Sequence, residues 1–227
     1  MISIVVPVYR NSASLRELRD RVNHTLEAHG DRELIFVDDA SPDDSGVVLA
    51  RLAREDASIV IVTLPRNVGQ QAAVLAGLAR ARGDVIVIMD ADLQDPPEAI
   101  AALLAALEPP LAAVFAGRRG DHDGAGRMVT SRLFKNVLHL LCGTPVDAGL
   151  FVAIDRRTRA ALLDYQPPGP SVLAMIGCTG LPLGTIPCRR DRRPRGSSAY
   201  TWRARLSFGI RVLAWTARVK LGTAAHG

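Results

Sequence analysis

The sequence predicts an α/β fold in which a mostly parallel central sheet is flanked by helices on both faces. Two observations lead there. The first half of the chain alternates short apolar runs with longer stretches of helical periodicity, in the order βαβαβαβα, and that order belongs to a parallel sheet with crossover helices. The runs are continuously apolar rather than alternating, as strands buried on both faces are. At 227 residues, 48% hydrophobic and 22% charged, the chain can bury a sizeable core, and a disordered chain is excluded.

The elements follow in order. Ile2 to Val8, Leu34 to Val37, Ile59 to Thr63 and Val85 to Met89 read as strands. Leu15 to Ala28, Val47 to Arg54 and Gln70 to Arg82 read as helices, and another follows Pro96 and Pro97, which suit a first helical turn. Gly83 and Asp84 form a helix-to-strand turn. The pattern changes at Gly117, where GRRGDHDGAGR is too polar and too rich in glycine to be core. A helix from Met128 to Leu141, a strand-like GLFVAI, the turn-forming YQPPGP, an Arg-rich loop and a helix from Tyr200 to Leu221 complete the chain. In an open sheet of this kind, ligands are expected at the carboxyl ends of the strands.

Charge is unevenly placed. From Arg189 onward there are ten basic residues against one acid, Asp191, whereas the preceding residues are mildly acidic. Aromatic residues make up 4% of the chain, too few for the interleaved basic and stacking side chains of a nucleic-acid surface. The basic tail suits an anionic membrane surface or a phosphate group. The longest apolar stretch, Ala99 to Leu107, is about half the ~20 residues a membrane span needs. No secretory leader precedes the first strand, and Cys142, Cys178 and Cys188 show no CxxC spacing, so a reduced, cytoplasmic protein without a zinc site is expected.

The acidic residues at two strand ends carry the chemistry. Asp90-Ala91-Asp92-Leu93-Gln94 follows the fourth strand directly. Two carboxylates two residues apart at a strand's open end can face one crevice, and their hard oxygens suit Mg²⁺ or Mn²⁺ bridging a diphosphate. A plain helix cap would use the same residues. Asp38 and Asp39 end the second strand, where α/β nucleotide sites hold a ribose or base. Asp43 and Asp44 read as helix caps. The first strand-to-helix junction, PVYRNSASL, has no glycine, and no GxxxxGK segment exists; a dinucleotide fingerprint and a phosphate loop are both excluded. Of the histidines, His139 in VLHLLC reads as a core residue and His122 as a loop residue on the surface.

Taken together, VPVYRN, VDDASPDDS, LPRNVGQQAAVLAGLARARGD and MDADLQDPPE resemble the family 2 glycosyltransferases, closest to their polyprenyl-phosphate branch. The resemblance spans about the first 160 residues, with RRPRGSSAY adding to it later. It implies a GT-A, Rossmann-like fold and an inverting transfer from a UDP- or GDP-linked sugar to a polyprenyl phosphate. Residues 1–199 read as the glycosyltransferase domain, with a nucleotide-sugar half (1–117) and an acceptor half (118–199), and charge and helical periodicity set 200–227 apart as a basic amphipathic tail. Carried onto this chain, Asp38 and Asp39 bind the nucleoside, and Asp90, Asp92 and Gln94 serve the metal and diphosphate. Pro7, Tyr9, Asn11, Asn67, Gly69, Gln70 and Ala91 are candidate substrate-binding residues; Arg118, Arg193 and Ser198 are candidates for phosphate contacts by the resemblance, and Arg132 by the chemistry of the Arg fork. Asp92, Asp147, Arg118 and Arg193 are the candidate catalytic residues.

Departures from the family pattern are equally visible. Arg10-Asn11 stands where relatives carry Asn-Glu, which leaves the nucleoside open. Leu150 and Val152 replace an Asp and an Arg of the family's GDF-Arg segment, leaving Asp147 as its nearest acidic match, and the family's C-terminal membrane helices are not expected in this sequence. With 26 Arg against 2 Lys, a single Arg carries little information unless a motif frames it.

A lipid phosphate acceptor is already anionic near neutral pH, its second pKa being about 6, and needs no strong general base. It needs positive charge to hold two anions together and to stabilise the leaving diphosphate, for which the Arg fork is suited. A sugar hydroxyl would need a carboxylate base instead, and Asp147 is the nominee. A sugar-nucleotide-binding protein without turnover is the third reading. In the last helix, Trp202, Leu206, Ile210 and Leu213 form one apolar stripe and Phe208, Trp215 and Val219 a second, with Arg203, Arg211 and Arg218 between them. Such a helix either lies in an anionic membrane interface or docks on the domain's own core or on a second subunit.

Overall fold

In the computed structural model, residues 1–119, 125–165, 171–189, 202–220 and 222 are described. The elements run β1 (Ile2–Val8), α1 (Leu15–Thr25), β2 (Arg32–Asp38), α2 (Ser45–Glu55), β3 (Ile59–Thr63), α3 (Gln70–Arg80), β4 (Val85–Ile88), α4 (Ala99–Ala106), β5 (Ala113–Arg119), α5 (Ala125–Cys142), β6 (Val152–Asp155), α6 (Arg156–Asp164), α7 (Val172–Cys178), β7 (Leu183–Arg189) and α8 (Trp202–Lys220). The seven strands form one sheet in the order β3-β2-β1-β4-β6-β5-β7. β1, β2, β3 and β4 pair in parallel, β6 is antiparallel to both of its neighbours, and β5 and β7 pair in parallel. All strands except β6 therefore end at the same edge. The chain leaves β1 toward β2 and β3, then crosses back to place β4 on the other side of β1. That reversal opens a crevice at the carboxyl edge.

Period-2 alternation divides the core between two faces. Ile4, Val6, Val8 and Phe36 point with Leu18 and Val22 of α1, Leu52 of α2 and Leu103 of α4. Val5, Val37, Ile86 and Ile88 point with Val74 and Leu78 of α3, Leu162 of α6 and Met175 of α7. Gly77 of α3 lies directly on the sheet: an added Cβ would stand 2.4 Å from Val5 Cγ1, so the close approach of α3 to β1 requires a glycine.

Several boundaries differ from the sequence reading. α1 stops at Thr25, three residues short of Ala28, and α3 at Arg80 rather than Arg82. Asp44 takes the N-cap position of α2 without a side-chain cap, while the Asp43 carboxylate accepts from the Ser45 and Ser12 backbone N–H groups at 3.2 Å each. Asp43 thus ties the β2–α2 turn to the β1–α1 turn. Burial pushes its carboxyl up in pKa, but the side-chain and backbone bonds from Ser45 and Ser12 outweigh it and hold it below the ordinary value. The polar stretch after Gly117 is shorter than read, because β5 continues to Arg119 and α5 begins at Ala125; His122 lies outside the described residues. His139 is exposed rather than core, its Nδ1 3.1 Å from the Thr144 carbonyl. Cys142, Cys178 and Cys188 are buried free thiols.

The last helix docks on its own domain. α8 packs on α5 and α7, burying Val212 and Thr216 and covering Leu138, Cys142, Ala174 and Cys178. Trp215 meets the Tyr165 ring edge-on, with centroids 5.5 Å apart. The docked face carries Phe208, Trp215 and Val219, the second apolar stripe. From the first stripe, Leu213 also packs into this cluster, Ile210 is 59% exposed, and the side chains of Trp202 and Leu206 lie outside the described residues.

Candidate active site

Three turns and one helix start meet at the carboxyl edge. After β1 the chain turns at Arg10, whose φ of 59° is in the left-handed region, and the Arg10 guanidinium lies 5.4 Å from the centroid of the exposed Tyr9 ring. Asn11 holds this turn: its Oδ1 accepts from the Tyr9 N–H at 3.0 Å, and its own N–H donates to Ser45 Oγ at 3.1 Å. Ser14 stands at the N-cap of α1 without capping it; its hydroxyl donates to the Ala91 carbonyl at 2.6 Å and so joins the β1 turn to the β4 turn.

After β2, Ala40 is left-handed (φ 53°), and after β4 Leu93 is as well (φ 59°). Among the described residues, the non-glycine positions with positive φ are Arg10, Ala40 and Leu93, one on each of the three turns that bound the crevice. Such strain persists only where the surroundings over-determine it, and it clusters at functional sites.

The two aspartates ending β2 have different surroundings. Asp38, 6% exposed, accepts from the Ser41 N–H at 3.0 Å. Asp39, 2% exposed, accepts from the N–H groups of Val68 (2.7 Å) and Gly69 (2.9 Å), one on each carboxylate oxygen. Asn67 Nδ2 adds a bond to the Asp39 carbonyl at 3.3 Å. Gly69 has φ 89° and ψ 154°, a conformation that requires glycine, and it caps α3, which opens at Gln70. The Gln70 side-chain amide donates to Asp90 Oδ1. Asp92 Oδ1 accepts from the Gln94 N–H at 3.2 Å, folding the residues after β4 into a turn.

On the far side of β4, Asp147 is brought to the end of β5. A Cβ on Gly117 would lie 2.1 Å from its Oδ2, so the partly exposed carboxylate rests on the bare backbone of that glycine. Leu150 and Val152 are buried in the core beside Phe115; the positions that depart from the family pattern pack here instead of facing a substrate. Pro7 pairs with Val37 inside the sheet, just before the crevice. Arg118 pairs with Cys188 of β7 in the strand ladder and Arg132 lies in α5, the side chains of both outside the described residues. Arg193 and Ser198 also fall outside them.

The structure thus gathers Tyr9, Asn11, Asp38, Asp39, Asn67, Gly69, Gln70, Asp90, Ala91, Asp92 and Gln94 around one crevice, with Asp147 across β6 from it. Features missed in the sequence include the Ser14 link, the left-handed Arg10, Ala40 and Leu93, and the pairing of Gln70 with Asp90. A lone Ser or Gln leaves no pattern to detect.

Residues 3–162 match the domain of glycosyl transferase family 2. The chain belongs to that family. This family 2 chain is 38% identical over 181 residues to an undecaprenyl-phosphate 4-deoxy-4-formamido-L-arabinose transferase of Pseudomonas fluorescens, covering 78% of this chain and 50% of the relative. It is 39% identical over 205 residues to the enzyme of that name in an Enterobacter species, covering 88% and 63%. It therefore spans about half to three-fifths of the length of these relatives. Its GT-A fold is shared with a mannosyltransferase of Pyrobaculum calidifontis in complex with GDP-Man and Mn²⁺ (TM-score 0.66, 19% identity, 98% of this chain and 73% of the other). Glucosyl-3-phosphoglycerate synthase of Mycobacterium tuberculosis, solved with Mn²⁺, UDP-glucose and phosphoglyceric acid, is similar at a TM-score of 0.70 and 21% identity, over 100% and 82% of the two chains.

Proposed function

We propose that this family 2 glycosyltransferase chain moves a sugar from a UDP- or GDP-linked donor to a polyprenyl phosphate, with inversion and with Mg²⁺ or Mn²⁺. One observation carries the reading: the β2 and β4 aspartates meet at one crevice at the switch point of the sheet, in a chain 34–39% identical to undecaprenyl-phosphate sugar transferases. In this reading Asp38, with Pro7, Tyr9 and Asn11, receives the nucleoside, and Asp90 and Asp92 face the diphosphate.

The residues present fit a metal that arrives with its substrate. Among the described residues, no group of three or more His, Cys, Asp or Glu side chains could hold an ion alone, and Asp90 and Asp92 form a pair. Mg²⁺ is commonly bound by one or two carboxylates completed by substrate phosphates. When bound, such an ion neutralises charge on the leaving diphosphate. Arg118, Arg132, Arg193 and Ser198 are proposed to hold the acceptor phosphate and the diphosphate in attacking position. An anionic acceptor needs no proton removed.

No helix among the described residues is long and apolar enough to cross a membrane. Peripheral contact at the cytoplasmic face is supported by the exposure of Leu140 (82%) on α5 and of Ile210, Arg211, Arg218 and Lys220 on α8. A soluble or glycan hydroxyl acceptor is the second reading, favoured by the Asp147 carboxylate resting on Gly117, where a general base would be needed. Radiolabelled sugar from a panel of UDP- and GDP-linked donors, offered to undecaprenyl phosphate or to saccharides, separates the two. Label entering the organic phase supports the lipid acceptor; label confined to saccharide products contradicts it. Tight donor binding with no transfer to either acceptor supports a binding protein without turnover.

A further inference from the structure

We propose that Asp39 is a positioning residue for the carboxylates that meet the metal and diphosphate, acting through the Asn67–Gln70 turn and the Gln70 amide. The inference rests on the proposed role of Asp90 and Asp92.

Three bonded links run from β2 to the end of β4. The Asp39 backbone is fixed to β1, its N–H donating to the Val8 carbonyl at 2.9 Å. Its carboxylate then holds the next turn by the Val68 and Gly69 N–H groups, at 2.7 and 2.9 Å. These groups immediately precede α3, where helix polarity also favours a negative charge. With Gly69 set at φ 89°, the helix begins at Gln70, whose amide reaches Asp90 Oδ1. A donor on one oxygen restrains the rotation of the Asp90 carboxylate.

The family resemblance places Asp39 on the nucleoside. Its burial to 2% exposure and the engagement of both oxygens by backbone N–H groups favour an indirect role, in which it shapes the site through the turn. Groups that orient a metal-ligating side chain typically change metal affinity by about 10–100-fold when removed.

Two variants test this. Asp39→Asn keeps the size but turns one acceptor into a donor, so it cannot serve both N–H groups; Gln70→Leu removes only the exposed amide. Amide hydrogen exchange of the ligand-free proteins and calorimetric binding of UDP and of GDP across a Mn²⁺ titration are compared with wild type. In Asp39→Asn, exchange at Val68 and Gly69 rises. In both variants, the Mn²⁺ concentration giving half-maximal nucleotide binding rises by about 10–100-fold, while affinity at saturating Mn²⁺ stays within about twofold of wild type.

Unchanged exchange at Val68 and Gly69 overturns the proposal. So does lost affinity at saturating Mn²⁺ without a shift in the midpoint, which would put Asp39 on the nucleoside itself. Should Asp39→Asn not fold, an unshifted midpoint in Gln70→Leu overturns it alone. A wild-type protein that binds neither nucleotide at any Mn²⁺ concentration contradicts the donor reading beneath it; intact wild-type binding with unaffected variants contradicts only the role of Asp39.

Discussion

Asp38 and Asp39 are chemically identical neighbours, yet one turns toward Ser41 in its own loop and the other grips the loop after β3. Single carboxylates at the strand ends therefore carry separable effects. Asp92→Ala is expected to abolish Mn²⁺-dependent binding of UDP or GDP, because one remaining carboxylate leaves the ion short of protein ligands; calorimetry in Mn²⁺ showing unchanged affinity would refute the metal role. Gly117→Ala acts on the acceptor side. Its new Cβ would stand 2.1 Å from Asp147 Oδ2 and must displace the carboxylate or the strand, and a displacement of 1 Å in a reacting constellation can cost about 100-fold in rate. Transfer should fall by that order while nucleotide affinity stays unchanged, as single-turnover kinetics beside calorimetry would show. That Asp90 and Asp92 stand just past the end of β4 was legible from the apolar run before them, although a helix cap would use the same residues. The inward turn of Asp39 was not, since it depends on where the ladder of β2 ends. Left-handed Arg10, Ala40 and Leu93 were hidden because no glycine marks them.

At the scale of elements, the parallel first half was readable because each βα unit has its own period and its own apolar run. β6 was anticipated as a strand but not as an antiparallel one, since an apolar run carries no direction. α6, α7 and β7 went unread. The two helices span nine and seven residues, too few turns for periodicity, and β7 mixes polar residues with Pro187 as an edge strand can. α8 had two readings, and its docking on α5 and α7 decides what removing it does. Deleting the chain from Thr201 uncovers Leu138, Ala174 and Cys178. Burying a side chain such as Val212 contributes roughly 1.5–3 kcal/mol, and each kcal/mol moves the midpoint of a domain this size by about 2–4 °C. A fall in Tm of at least ~5 °C by calorimetric scanning is expected, with nucleotide binding retained below the new midpoint. An unchanged Tm would mean that α8 contributes nothing to the fold. At the amino edge, Glu33 joins β2 to β1 through Ser3 Oγ (2.6 Å) and to the α3–β4 turn through the Arg82 N–H (2.6 Å). Its burial pushes the carboxyl up in pKa, but the bonds from Ser3 and Arg82 outweigh it and hold the folded value below 4.5. A carboxylate lowered by folding stabilises above its unfolded pKa and loses that contribution as pH falls through the folded one. Glu33→Gln should therefore lower Tm at pH 7 and flatten its decline below about pH 4.5, as thermal scans across pH would show.

For the whole molecule, the topology explains why residues from three turns and the start of α3 meet. Reversal of strand order between β1 and β4 leaves a crevice that no single turn could line, and the buried faces of α3 and α1 hold its walls against the sheet. The central claim is that this crevice takes a nucleoside diphosphate with a divalent ion. Amide hydrogen exchange of the full chain, with and without UDP or GDP in Mn²⁺, tests it most directly. The structure predicts added protection at 8–12, 38–41, 67–71 and 90–95, all at the carboxyl edge, with the amino-edge residues around Glu33 and Asp84 unchanged. Protection confined to the amino edge or to the α5–α8 face, or none with either nucleotide, would contradict it.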